Sequence, residues 1–409
     1  MDYIIGLNSG SSCDGLDVVL AKISMAEDHQ PNPPEFVDGI GYDWPPEIRD
    51  LIWKAFYNQL QMAELCRLNY AIGAVFAQAA NQIMAKNGLQ PENVYSIGVD
   101  GQQIYLKQPD HEKISQMSPE EKADLPGRWL KDIYANGIVL GDSSVCAAHT
   151  NVTTVTTFRP SDHAIGGNGA PMMQYLDYVL FRNKKPIMTL NIGGIANVHL
   201  VYKDRRKMMA FDTGPGNIMV DYMAKKYFGK NYDPDGQIAA QGKVCEEMLS
   251  ELIQHPYFSR KLPRSAWRTD FDTDFSEAMR QKYPQLSDED VMATYADFTA
   301  YCIVKNILDN IPAQRLAEID QLVASGGGVR NKTMMQMIQA RLPKGIELIT
   351  SDAYGIPPQY KEALKFATLA YATLHRAADN IPAASHAGHY TLMGKIALAP
   401  RYALGTQDE

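Results

Sequence analysis

The 409-residue chain holds little that could staple, chelate or anchor it. Its five cysteines (Cys13, Cys66, Cys146, Cys245 and Cys302) are scattered, with no CxxC pair and no histidine at a zinc-ligand spacing. That argues against a disulfide framework or a structural zinc, and it fits a reducing cytoplasm. No apolar run approaches the roughly 18 residues of a membrane span, and the opening MDYIIGLNSG has no signal-peptide character. Positive charge is short as well. Lys and Arg number 39 against 47 Asp and Glu, a net −8, which argues against the basic face that nucleic-acid phosphates require. A local phosphate pocket remains open to the chain, because backbone amides can form one without net charge. No collagenous, heptad or low-complexity segment is present.

What is present is ordinary globular material, 45% hydrophobic and 21% charged, in a length sufficient for two domains with their own cores. Tyr3–Leu7, Asp17–Ile23 and Phe36–Tyr42 read as strands, Glu47–Phe56 and Met62–Ala85 as helices, and Val94–Val99 as a buried strand. A similar series begins near residue 187, with strands at Ile187–Gly194, Ala196–Tyr202 and Met208–Gly214 and a helix at Asn217–Phe228. Short strands joined by glycine turns and followed by long helices specify an α/β chain. The repeat suggests two related domains, expected at 1–149 and 150–384, with 385–409 as a tail packing across a domain. Pro109–Arg128, rich in Pro, Lys, Glu and Asp, reads as a solvated excursion.

Four glycine-bearing turns carry the candidate chemistry. The first, Asn8-Ser9-Gly10-Ser11-Ser12-Cys13-Asp14-Gly15, joins two strands and offers amides and small hydroxyls to a polyphosphate, or is a plain β-turn. The second, Asp212-Thr213-Gly214-Pro215-Gly216-Asn217, opens a helix whose N-terminal amides would suit a phosphate. The third, Gly326-Gly327-Gly328 before Asn331, follows the strand Ile319–Val323 and precedes the helix Asn331–Leu342. Its missing side chains leave room for a base or ribose. The fourth runs from Phe158 to Pro171. Its Asp162 could act as a general base and its Arg159 could anchor a sugar or phosphate, although an exposed loop with a surface ion pair is the plainer reading.

Taken together and in order, these segments resemble the anhydro-N-acetylmuramic acid kinase family. Its patterns run roughly MSGTSxDGxD, GxHGQTxxH, DFRxxDxAxGGxGAP, NxGGIAN, DTGPGN, YDxDG, PPKSTGRE, GGGxxN and EAxxFA. They fall here at Asn8–Asp17, Gly98–Gln103, Thr157–Pro171, Asn191–Asn197, Asp212–Asn217, Tyr232–Gly236, Leu262–Thr269, Gly326–Asn331 and Glu362–Ala367. The resemblance implies a two-domain actin-like ATPase (ribonuclease H-like) fold, each domain a mixed sheet flanked by helices and the pair closing on a small carbohydrate. It implies a cytoplasmic kinase, possible as a homodimer, that uses ATP and Mg²⁺. Water would open a 1,6-anhydro bridge while O6 takes the γ-phosphoryl group. Asp162 matches the general base. Ser9, Gly10, Ser11, Ser12, Asp14, Gly193, Gly194, Thr213, Gly214, Gly216, Asn217, Gly326, Gly327, Gly328 and Asn331 would bind the nucleotide. Asp100, Gln102, Gln103, Arg159, Gly167 and Glu362 would bind the sugar, and no metal ligand is named.

Several positions depart from the family pattern. Asn8 replaces Met, as in the related levoglucosan kinases. Asp100 and Gln103 replace the His and Thr of GxHGQT, Thr157 replaces the acid of DFR, and Trp267 stands in a segment that has lost Thr, Gly and Glu. Trp267 is either core filling or a platform for a sugar face. An ionised Asp100 would repel a lactyl carboxylate, so a neutral, levoglucosan-like anhydro-sugar is the expected substrate. An ordinary sugar-hydroxyl kinase and a sugar-sensing pseudokinase are the alternatives.

Overall fold

The structure, a computed structural model, describes residues 1–10, 13, 15–260, 266 and 270–400. The chain forms two compact units: Met1–Leu180 together with the chain from Glu362 onward, and Phe181–Lys361.

The first unit begins with an antiparallel meander, β1 (Asp2–Ser9), β2 (Leu16–Ile23) and β3 (Glu35–Tyr42). After the helices Pro46–Phe56 and Met62–Lys86 the chain returns as β4 (Val94–Val99), parallel to β1. A two-stranded ribbon, β5 (Gln102–Lys107) and β6 (Asn136–Leu140), flanks the solvated excursion, which holds three short helices. β7 (Thr154–Thr156) then pairs parallel to β4.

Alternation along β1 explains the layering. Ile5 and Leu7 pack with Ile72, Phe76 and Ile83 of the long helix, whereas Ile4 on the opposite face packs with Ala367 and Tyr371 of the helix Lys361–Leu374. That second helix comes unusually near the sheet. Gly6 and Gly98 are register partners on β1 and β4. A Cβ on either would collide with a helix backbone carbonyl, that of Ala363 or of Phe366 respectively. Two side chains are missing at the point where the helix crosses.

The second unit repeats the plan with β8 (Ile187–Ile192), β9 (Ile195–Val201), β10 (Met209–Pro215), β11 (Gln321–Ser325) and β12 (Glu347–Thr350). Its order, β10-β9-β8-β11-β12, matches β3-β2-β1-β4-β7 strand for strand, with the same antiparallel and parallel pairings. The repeat suspected in the sequence is therefore a repeat of topology, and the fold is the expected pair of mixed sheets flanked by helices. Its core joins Leu190, Ile192 and Val198 to Met219, Phe298 and Ile338. Finally β13 (Lys395–Ala397) pairs antiparallel with β7 and extends the first sheet.

The units divide at other residues than 149/150 and 384/385. A cut at 150 would separate β7 from β4. A cut at 384 would assign the helix under Gly6 and Gly98 to the other unit. Among the described residues no helix is long and apolar enough to cross a membrane.

Candidate active site

In the second unit the parallel strands β8, β10 and β11 end on one edge, where open α/β sheets bind ligands. The turns Gly193–Gly194, Thr213–Asn217 and Gly326–Gly328 meet there. Their glycines serve different ends. A Cβ on Gly216 would strike the Gly193 carbonyl oxygen, one on Gly328 would strike Ile192 Cγ2, and one on Gly326 would lie 2.6 Å from the Ile192 carbonyl oxygen. These three glycines let the turns pack on one another. At Gly194 an added Cβ meets nothing within 4 Å, and at Gly327 it meets only Asn217 Nδ2 at 3.9 Å. Those two positions are open to a ligand.

The helix N-terminus after Asn217 differs from expectation. The Gly216 and Asn217 amides donate to the Gly194 and Gly193 carbonyls, both at 2.8 Å, and the Ile218 amide donates to Gly194 at 3.3 Å. Amides committed inside the turn are not offered to a phosphate. Thr213 is enclosed, its hydroxyl donating to the Ala196 carbonyl at 3.1 Å. Gly214 adopts φ 135°, a backbone state that favours glycine whether or not a ligand is near. Asn331 is a buried N-cap, accepting from the Met334 amide at 2.9 Å. Thr213, Gly216 and Asn331 are thus buried builders of the edge, and the half-buried Asn217 helps build it through its backbone.

In the first unit the carboxyl ends of β1 and β4 bring Ser9 and Gln102 together, with the Ser9 hydroxyl donating to Gln102 Oε1. Gly10 closes a turn onto the Cys13 amide at 3.2 Å. Ser11, Ser12, Asp14 and Trp267, with most of the Leu262–Thr269 segment, lie outside the described residues.

Asp100 corrects the expectation of an uncompensated acid at the sugar. It is only 4% exposed, its Oδ1 accepts from the Phe158 amide at 3.1 Å, and its Oδ2 accepts from Arg159 Nε at 2.8 Å. Thr157, at φ 56°, turns the chain so that the Phe158 amide reaches Asp100. The guanidinium neutralises the carboxylate, so the proposed repulsion of a lactyl group loses its source. Arg159 Nη1 also donates to the Gly169 carbonyl at 2.9 Å. Arg159, Gln103 and Asp100 line a cavity of about 220 Å³.

Asp162 is 1% exposed, and both its oxygens are engaged. Oδ1 accepts from Asn380 Nδ2 at 3.1 Å and from Ser385 Oγ at 2.9 Å, and Oδ2 accepts from the Gly169 amide at 2.9 Å. Burial raises its pKa, against the pull of these donors. Gly167 lacks a side chain because a Cβ there would strike Asp162 Oδ2. That packing accounts for the glycine without the expected sugar contact.

Sequence reasoning missed several polar groups here. Asn380 and Ser385 lie more than two hundred residues from Asp162 with no motif to mark them. Lys365 stands inside the quoted segment Glu362–Ala367, where only Glu362 was singled out. Burial pushes the Lys365 pKa down while Glu362 opposes the shift, and its ammonium lies 4.2 Å from the Phe366 ring centroid. His163, beside Asp162, is enclosed and lines the same cavity as Arg159. Its signal was its spacing, four residues after Arg159 on the helix Arg159–Ala164.

The family model for anhydro-N-acetylmuramic acid kinase matches residues 2–121 and 129–399. An anhydro-N-acetylmuramic acid kinase of Caldanaerobacter subterraneus subsp. tengcongensis is 35% identical, with 97% of this chain and 96% of that protein aligned. One of Francisella tularensis subsp. novicida is 33% identical over 96% and 98% respectively. Among solved structures, the activator of the 2-hydroxyisocaproyl-CoA dehydratase from Clostridium difficile with bound ADPNP aligns at TM-score 0.43 and 12% identity. That alignment covers 91% of this chain and 97% of the other, and the likeness is too slight to carry an argument. Matched from end to end by the model and at over 30% identity by these relatives, the chain belongs to the anhydro-N-acetylmuramic acid kinase family, ATP-dependent phosphotransferases that cleave an anhydro ring as they phosphorylate.

Proposed function

We propose that the substrate is 1,6-anhydro-N-acetylmuramic acid itself, taken to its 6-phosphate. Water adds to the anomeric carbon, the bond from that carbon to O6 breaks, O6 takes the γ-phosphoryl group of ATP as its bond to the β–γ bridging oxygen breaks and ADP leaves, and the proton from water passes to a protein carboxylate. The observation that carries this reading is the Asp100–Arg159 pair. The case for a neutral, levoglucosan-like sugar rested on an uncompensated acid at position 100, and that acid is compensated.

Phosphoryl transfer needs chiefly positioning and charge neutralisation. Gly194 and Gly327 offer the open backbone on which the nucleotide would lie. Among the described residues no three His, Cys, Asp or Glu side chains stand together as a metal cage. Magnesium would accordingly be carried by the phosphates and water, as is usual for this ion.

Two acids compete for the role of base. Asp162 is enclosed and its oxygens are engaged, which suits holding the 162–171 loop in place. Asp212 is 8% exposed, its Oδ2 accepting from the Ala266 amide at 2.7 Å, and it opens the turn that runs into Gly214 and Gly216. Water attacks the same small sugar that receives the phosphoryl group, so the base must stand within a sugar's width of the phosphate. Asp212 opens a turn of the nucleotide edge itself, which favours it.

The test is turnover of 1,6-anhydro-N-acetylmuramic acid with ATP in ¹⁸O-water. Label should enter at C1 of the product, and Asp212→Asn should lower kcat by about 10²–10⁴ with the fold intact. Unlabelled product would mean an ordinary hydroxyl kinase, and ATP-independent sugar binding without product would mean a sensor. A full loss in Asp162→Asn, with Asp212→Asn active, would return the base to Asp162.

A further inference from the structure

The cavity beside the Asp100–Arg159 pair contains two acceptors that the fold leaves unused. Its roughly 220 Å³ includes the solvent-open mouth, so it takes one edge of a sugar rather than all of it. On its wall stand Gln103 and His163. Gln103 Nε2 donates to the Tyr105 carbonyl at 2.7 Å, which leaves Oε1 buried with no hydrogen-bond partner among the described residues. His163 Nε2 is likewise buried and unpartnered. Proteins keep few such atoms, because each costs about 1–3 kcal/mol when left unmade. Two on one small cavity mark a place where donors arrive from outside.

The ring's protonation fixes what His163 offers. The Asn168 backbone favours a proton on the ring, and since the Asn168 amide already donates to the Ser385 carbonyl, the group that does so is the Asn168 carbonyl. A proton held toward that carbonyl leaves Nε2, which has no partner of its own among the described residues, with a lone pair to offer. Burial, reinforced by the Arg159 charge, pushes the His163 pKa down to about 4, so the ring stays neutral at working pH. Gly169 makes the arrangement possible, since a Cβ there would strike His163 Nε2. Arg159 and His163 are one turn apart on the same short helix, so the cation is placed beside the acceptor.

We propose that His163 Nε2 and Gln103 Oε1 form an acceptor pair that reads two N–H or O–H donors on one edge of the sugar, making His163 a specificity-determining residue of this chain. The inference rests on the anhydro-sugar kinase reading. A site built to accept a donor rejects an analogue without it more strongly than an apolar pocket rejects a missing methylene.

The test is steady-state kinetics of the full chain with 1,6-anhydro-N-acetylmuramic acid and ATP. His163→Leu should raise KM for the sugar by about tenfold, as expected for one lost hydrogen bond to a buried acceptor. KM for ATP should stay unchanged, and His163→Gln, which restores an acceptor, should recover part of the loss. Gln103→Leu, at a partly exposed position, should raise KM for the sugar in the same way and covers the case in which His163→Leu fails to fold. A folded His163→Leu or Gln103→Leu with wild-type KM for the sugar overturns the pair, as would equal rises in both KM values. Absence of product from the wild-type protein overturns the kinase reading together with this inference, whereas wild-type turnover with insensitive variants overturns the inference alone.

Discussion

Arg159 Nε donates to Asp100 Oδ2 across 2.8 Å, joining the first turn of one helix to the residue that follows β4. Asp100 is buried and the Arg159 side chain is 18% exposed, so neither charge is well solvated if its partner is lost. Arg159→Ala should cost about 3–5 kcal/mol, the usual penalty for stranding one half of a buried pair. The double variant Asp100→Ala/Arg159→Ala should lose less than the sum of the two single changes. Urea melts of the four proteins measure the coupling, and additive losses would show that the pair is not a unit.

The open and closed glycines give a sharper test of the nucleotide edge than Gly214, whose backbone conformation alone would penalise a side chain. Gly194→Ala and Gly327→Ala should fold normally and raise KM for ATP by about tenfold, equivalent to about 1.4 kcal/mol of binding. Gly328→Ala should lower the melting temperature instead, because its Cβ meets the Ile192 side chain. Unchanged nucleotide affinity in the first two would place ATP elsewhere.

If Asp162 is the pin of its loop, Asp162→Ala leaves the Asn380 amide, the Ser385 hydroxyl and the Gly169 amide without their shared acceptor. The loss should reach several kcal/mol, at about 1–3 kcal/mol for each stranded group. Denaturant unfolding checks it, and a stability change under about 0.5 kcal/mol would mean that water replaces the carboxylate without cost.

Glu277 supplies a pH signature in the second unit. It accepts from Tyr222 and, at 2.8 Å, from Tyr227, and it pairs with Lys226 at 2.8 Å. The Lys226 bond leads in holding its pKa near about 2, below the ordinary 4.5. A depressed acid stabilises the fold above its unfolded pKa and loses that contribution as pH falls toward the folded one. The melting temperature of wild type should therefore exceed that of Glu277→Gln at neutral pH, with the gap closing between 4.5 and about 2. A gap independent of pH would mean that the cluster is held by shape alone.

Strands made of continuous apolar runs were legible in the sequence, and Val94–Val99 was read with its observed limits. β7, β12 and β13 were not, because three or four residues with Thr, Glu or Lys carry no periodicity. The turns were found but their glycines could not be sorted. Nothing local distinguishes Gly216, which is empty for the sake of Gly193, from Gly327, which is empty toward solvent. Asp100 shows the same limit for charge. Its sign was visible, but its neutralisation depends on Arg159, brought close by the pairing of β4 with β7.

The paired glycines Gly6 and Gly98 also bear on the order in which the molecule can be made. They wait for a helix that begins at Lys361, and β7 waits for β13 at Lys395. A ribosome delivers Phe181–Lys361 without interruption, and all of its strands can pair before synthesis ends. The unit begun first is therefore completed last, with Ile4 and Ile23 bare on one face of its sheet for most of translation. A chain stopped shortly before Lys361 would carry every glycine turn quoted above and still have no layer to close over β1 and β4.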